Sequence, residues 1–110
     1  MSTVRYLCDE NVPEHLMDAV IQREPAIEIF IVGQSATPPK GTLDPQLLSF
    51  AEKETLSLIT IDKRSMASHV ADHLAAGHHT WGVFELRQGY SILRYVENLI
   101  FIWAASEAED

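Results

Sequence analysis

The sequence predicts an α/β fold in which a mostly parallel sheet of four to five strands lies between two layers of helices. The main observation is an alternation: short apolar segments rich in β-formers are followed four times by segments with helical apolar spacing. The length of 110 residues fits one domain. An apolar share of 46% and a charged share of 22% are typical of a globular protein, which excludes bulk disorder.

The first half of the chain predicts two strands and two helices. Proline suits the first turn of a helix, so Pro13 and Pro45 each indicate a helix start. Asp44 is then the expected cap of the second helix. The loop before it contains Pro38, Pro39 and Gly41. The predicted elements are a strand over 4–8, a helix over 13–23, a strand over 27–32, a loop over 33–42 and a helix from 44.

The second half repeats the pattern twice. The predicted elements are a strand over 56–61, a helix over 64–76, a strand over 81–86 and a helix over 92–105. The last assignment has an alternative, because residues 99–103 also suit a buried strand. The acidic tail over 107–110 is expected to fray, which leaves a single domain over 1–106.

Charge and cysteine content exclude several classes of protein. The net charge of −8 opposes binding of nucleic acid through bulk electrostatics, so such binding would need a local basic patch, bound cations or a partner. The longest apolar run, 99–105, is far short of the ~20 residues that span a bilayer. No secretory leader is recognisable, and the lone Cys8 cannot form an intramolecular disulfide. We therefore expect a cytoplasmic protein that does not enter the membrane.

Carboxylates mark the carboxyl edge of the predicted sheet, where parallel sheets form their sites. Asp9 follows the first strand, Asp62 follows the third, and Asp44 begins the second helix, with Glu10 and Asn11 nearby. Clustered carboxylates must be protonated, paired or bound to a cation. Oxygen ligands favour Mg²⁺ or Mn²⁺, which orients a phosphate and activates water. The alternative is structural, with Asp44 and Asp62 capping helices.

Half of the basic residues fall at the same edge. Lys40, Lys63, Arg64 and Arg87 either contact phosphates or neutralise the acids in salt bridges, and the sequence does not separate these alternatives.

The histidines of the second half and the lone cysteine each have a chemical and a structural interpretation. His69 and His73 have the i, i+4 spacing of a zinc pair, with His78 and His79 just beyond, but the spacing also fits an exposed helical face. Cys8 is either a small buried hydrophobe or a reactive nucleophile.

The last helix is apolar around more than half of its circumference. Tyr95, Phe101, Ile102 and Trp103 extend its apolar surface, which indicates either deep burial or a homodimer face.

Four motifs, in order and spacing, resemble the PIN-like family DUF5615, which is related to the Mut7-C domain. The resemblance covers nearly the whole chain and rests on residues 7–13 (LCDENVP), 44–48 (DPQLL), 59–63 (ITIDK) and 82–87 (GVFELR). The resemblance implies a PIN-like three-layer fold and a metal-dependent ribonuclease, often the toxin of a toxin–antitoxin pair. RNA and a cognate antitoxin would then be the partners.

Carried onto this sequence, the resemblance makes Asp9, Asp44 and Asp62 the catalytic residues and the ligands of Mg²⁺ or Mn²⁺. Asn11 would be a polar neighbour of the site. The expected substrate-contacting residues are Asn11, Lys63, Arg64 and Arg87.

One position departs from the family pattern. Arg64 stands where the family usually has a second Asp, and it either pairs with Asp62 in place of a metal or binds a substrate phosphate. The first case describes a non-catalytic module that binds protein or nucleic acid. A third, more distant interpretation is a receiver-like phosphoacceptor domain using Asp9, Glu10 and Asp62, although a fifth strand is missing and Arg87 replaces the expected Lys.

Overall fold

A computed structural model describes residues 3–61, 64–87, 89 and 91–108, and of residues 107 and 108 it describes only the backbone. Strands and helices alternate along these residues. They are β1 (Tyr6–Cys8), α1 (Glu14–Arg23), β2 (Ile29–Ile31), α2 (Asp44–Glu54), β3 (Ser57–Ile61), α3 (Met66–Ala75), β4 (Val83–Leu86) and α4 (Ile92–Ala108). The predicted α/β class is confirmed. Two predicted site residues, Asp62 and Lys63, lie outside the described residues.

The four described strands form one sheet, ordered β2-β1-β3-β4, in which every pairing is parallel. Side chains alternate between its two faces, so each face has its own core. One core joins Tyr6, Cys8 and Ile59 to α1 and α4. The other joins Leu7 and Leu58 to α2 and α3. The sheet therefore lies between two helical layers, as the alternation predicts.

The strands start later than the sequence predicts. An apolar residue belongs to a strand only if its backbone is paired with a neighbouring strand, and the first predicted residues are not. β1 starts at Tyr6 rather than at residue 4, and the N–H of Val4 donates instead to Ser106 Oγ at 3.1 Å. β2 starts at Ile29 rather than at residue 27, and the N–H of Ile27 donates to the Glu24 carbonyl in a turn. β4 starts at Val83 rather than at residue 81.

The helix starts also differ from the prediction. The N-cap of α2 is Leu43, whose carbonyl accepts the N–H groups of Gln46 and Leu47. The prediction that Asp44 caps this helix is therefore wrong: Asp44 is already its first residue. Pro13 is likewise the N-cap of α1 rather than part of its first turn. α3 starts at Met66, two residues later than predicted.

The last element is a helix, so the alternative of a strand over 99–103 is wrong. It continues through Ala108, the last residue whose backbone the structure describes, so the predicted fraying of 107–110 stays a prediction. Trp103 is buried in the core, whereas Phe101 is 74% exposed beside a cleft of about 370 Å³ between α4 and β4. The apolar surface of α4 is thus only partly buried. Within the described ranges, no helix has the length and apolarity to cross a membrane.

Candidate functional site

The turn after β1 places Asp9 at the centre of the carboxyl edge of the sheet. The N–H of Asp9 donates to the Ile59 carbonyl of β3 at 2.9 Å, and Asp9 Oδ1 accepts the N–H of Asn11 at 2.9 Å. The strand order reverses between β1 and β3, which is where open α/β sheets form a ligand crevice. Asp9 is 1% exposed. A buried carboxylate thus stands, with a fixed orientation, at the switch point of the sheet.

A second buried polar group lies on the neighbouring strand. Thr60 follows Ile59 on β3 and is fully buried. Its hydroxyl has no hydrogen-bond partner among the residues that the structure describes. Strand alternation puts it on the face that packs against α2 and α3. Thr60 is a site residue that the motifs did not reveal, although it stands one residue before the end of β3.

Asp44 lies at the start of α2, at the same edge. The N–H of Gly41 donates to Glu10 Oε1 at 2.7 Å, which ties the loop before α2 to the turn after β1. The Asp44 side chain is 10% exposed, and its Oδ2 is 3.9 Å from His69 Nε2. Glu10 is thus a tether between two loops. Asp62 lies outside the described residues, so the convergence of the three aspartates stays a prediction.

The predicted substrate contacts have different surroundings. Asn11 and Arg64 are exposed, with Arg64 in the turn that precedes α3. Arg87 Nε lies 3.7 Å from Glu85 Oε1, which agrees with the salt-bridge alternative for this residue. The exposed Lys40 packs over Gly33 so closely that a Cβ at position 33 would clash with it.

The environment of Cys8 agrees with a structural role. The thiol is 1% exposed, and its Sγ lies 2.7 Å from Met17 Sδ. Burial, and then the negative charge of Asp9, raise the pKa of Cys8 well above its usual range. A buried thiol that holds its proton is a poor nucleophile. Burial also raises the pKa of Tyr6, whose hydroxyl donates to the Leu99 carbonyl at 2.8 Å.

A different polar group forms between α2, α3 and the loop after α3. We call Glu52, His73 and His78 the His–Glu cluster. Glu52 Oε1 lies 3.0 Å from His73 Nε2 and 3.4 Å from His78 Nδ1, and the three ligand-type atoms are all within 4.8 Å of one another. The two imidazoles stack with their centroids 4.7 Å apart.

The His–Glu cluster differs from the histidine pair that the spacing suggests. His73 is joined by His78 and Glu52, while His69 lies against Asp44. His73 is 7% exposed, so the alternative of an exposed helical face is wrong for it. His79 contributes its backbone, with its N–H donating to Glu52 Oε2 at 3.1 Å. Sequence reasoning missed Glu52 because its place beside the histidines depends on how α2 packs on α3.

Neither a scan against protein-family models nor a search of curated proteins finds a match for this chain. The resemblance of the four motifs to a known family therefore stays a prediction.

Proposed function

We propose that this protein is a PIN-like ribonuclease that uses Mg²⁺ or Mn²⁺ to hydrolyse phosphodiester bonds at the carboxyl edge of its sheet. The observation that carries the proposal is Asp9: a carboxylate, 1% exposed, held at the switch point by a bond to β3 and by the N–H of Asn11. Strand β3 leads directly into a second aspartate, Asp62, in the sequence.

The donor set suits a hard cation. Asp9, Asp44 and Asp62 offer only carboxylate oxygens, which Mg²⁺ and Mn²⁺ prefer over softer ligands. A cation held by them would activate water and offset charge on the phosphate. The N–H of Asn11 orients Asp9, and the Thr60 hydroxyl is a buried donor on the adjacent strand.

Exposed basic side chains would contact the substrate. Arg64 is exposed beside the carboxyl end of β3, where a guanidinium can bind a phosphate of RNA. With a net charge of −8, such local contacts have to supply the attraction that the whole chain does not. We further propose that the protein acts on RNA in the cytoplasm and that an antitoxin protein inhibits it.

The test is calorimetric titration of Mn²⁺ into the natural protein, Asp9→Asn and Asp18→Asn. Asp18 is an exposed acid on α1 and gives a matched control. We expect one specific Mn²⁺ site in the natural protein and the control, lost in Asp9→Asn. Cleavage of a labelled single-stranded RNA should then follow the same order and stop with EDTA. Absence of specific binding to the natural protein would contradict the proposal and favour the non-catalytic module.

A second candidate, the receiver-like phosphoacceptor, is favoured by one observation. The strand order β2-β1-β3-β4 is that of the first four strands in sheets ordered 2-1-3-4-5, the order of receiver domains. Incubation with acetyl phosphate and Mg²⁺ tests it. A mass increase of one phosphoryl group, lost in Asp62→Asn, would support the receiver, whereas an unchanged mass with RNA cleavage would support the ribonuclease.

A further inference from the structure

We propose that Glu52, His73 and His78 form a binding site for one Zn²⁺, separate from the carboxylate edge. Zinc ligands at about 2.0–2.1 Å in a tetrahedron are about 3.3 Å apart. Glu52 Oε1 lies 3.0 Å from His73 Nε2 and 3.4 Å from His78 Nδ1. Two of the three spacings are therefore close to those of zinc ligands, whereas the stacked imidazoles, whose planes lie 22° apart, would have to turn to direct both nitrogens at one ion.

The surroundings orient the carboxylate toward the imidazoles. Glu52 Oε2 accepts the N–H of His79 at 3.1 Å, while Trp81 Nε1 donates to the backbone carbonyl of Glu52 at 3.0 Å and holds the chain after α3 against the end of α2. Oε1 is left facing both histidines. Outer contacts that fix a ligand in this way are typical of metal sites, because they reduce the entropy lost on binding. Two imidazoles and a carboxylate are also a ligand set that zinc takes in proteins.

The same atoms have a metal-free arrangement. His73 Nε2 lies 3.0 Å from the His79 carbonyl as well as 3.0 Å from Glu52 Oε1, so a protonated Nε2 can donate to these oxygens. Zinc would replace that proton. A cluster held by hydrogen bonds alone is the other outcome of the test.

A cavity beside the His–Glu cluster leaves room for a fourth ligand. It measures about 260 Å³ and is lined by His73 and His78 together with Pro45, Ser49, His69 and Asp72. Since one water occupies about 30 Å³ of liquid, several fit there. Three protein ligands and an open position are typical of zinc sites that carry an exchangeable water. We therefore infer a zinc ion whose fourth position is open to water or a small anion.

The experiment titrates Zn²⁺ into the untagged full chain in competition with a chromophoric chelator, and follows Co²⁺ as a spectroscopic substitute. His78→Ala is the main variant because that side chain is 55% exposed, and Glu52→Gln keeps an acceptor for the His79 N–H. His15→Ala, an exposed histidine on α1, is the matched control. Circular dichroism checks that each variant is folded.

We expect one zinc per chain, a tetrahedral Co²⁺ spectrum, and a loss of affinity of roughly 100-fold or more in both cluster variants, larger than outer contacts usually give. His15→Ala should bind as the natural chain does. Absence of one-to-one binding, or unchanged affinity in His78→Ala, would overturn the proposal. Asp9→Asn should keep its zinc affinity, so failure of the ribonuclease proposal and failure of this one are distinguishable.

Discussion

The carboxylate edge and the His–Glu cluster are held in place by different parts of the fold. Asp9 is fixed by backbone hydrogen bonds to Ile59 and Asn11 at the centre of the sheet. Glu52 and His73 instead come from two helices, α2 and α3, that pack against each other through their side chains. An ion at the sheet edge would use a geometry that the strands already supply, whereas an ion in the cluster would itself hold α2 to α3.

The two regions share one helix. Asp44 and Glu52 lie at opposite ends of α2, which at 1.5 Å per residue puts their backbones about 12 Å apart. His69 is between them, because it lines the cavity of the cluster and contacts Asp44 at 3.9 Å. Variants at these positions can therefore test whether the regions act separately.

The largest expected effect is stabilisation by zinc. Zn²⁺ at one hundred times its Kd should add about 2.7 kcal/mol to the free energy of unfolding if it binds only the folded chain. For a domain of this size that is a rise in Tm of roughly 10 °C. Thermal unfolding monitored by circular dichroism measures it. His78→Ala should show no such rise, and an equal rise in that variant would place the ion elsewhere.

Replacing Asp9 separates its hydrogen bond from its charge. Asp9→Ala removes the acceptor of the Asn11 N–H and should lower the free energy of unfolding by about 2 kcal/mol, as expected for a bond to a charged group. Asp9→Asn keeps an acceptor and should lose less than half of that. Urea unfolding of the two variants provides the comparison. Equal losses would mean that the charge, rather than the hydrogen bond, stabilises the turn.

Alkaline pH should destabilise the core beneath Asp9. The pKa of Cys8 is raised in the folded protein, by burial first and by the charge of Asp9 second. The folded chain therefore keeps a proton that the unfolded chain releases. Stability is fully present below the ordinary thiol pKa and is lost above it, by about 1.4 kcal/mol per pH unit for one group.

Cys8→Ala tests this linkage through the slope of stability against pH, since the alanine also changes packing. Urea unfolding between about pH 9 and pH 10.5 should show a shallower fall in the variant than in the natural protein. Tyr6, whose pKa burial also raises, keeps contributing to the fall in both. Identical slopes would show that Cys8 does not hold its proton.

The smallest effect is expected at the contact between the regions. The His69 side chain is 34% exposed and lies 3.9 Å from Asp44, so His69→Ala should change the free energy of unfolding by less than about 0.5 kcal/mol. Chemical unfolding at neutral pH measures this change. A loss well above that value would mean that the two regions depend on each other.

The sequence predicted the order of strands and helices more accurately than it predicted where each of them begins and ends. Periodicity depends on which residues are buried, and it identified every described helix and strand. The ends of strands and helices depend on hydrogen-bonding partners, which periodicity does not show. Val4 is apolar and next to β1, yet it bonds to Ser106 instead of to a strand. Leu43 caps α2 through its backbone carbonyl and has no side-chain oxygen, so its residue type did not mark that position.

The residues of the candidate sites also differ in how far the sequence predicted their positions. The place of Asp9 was predictable because a residue that follows a central parallel strand lies at the carboxyl edge. Glu52 was not, because its meeting with His73 depends on the packing of α2 on α3. The i, i+4 spacing drew attention to His69, whereas His78, beyond the end of the helix, is the residue that joins His73.

The position of β1 in the sheet has a consequence for synthesis of the chain. Tyr6 pairs with Ile29 on one side and Ser57 on the other, so both neighbours of the first strand are translated after it. The central strand cannot complete its pairing until Ile59 of β3 has left the ribosome. Until then an apolar segment near the N-terminus is exposed on the nascent chain, where a chaperone can bind it and where aggregation competes with folding.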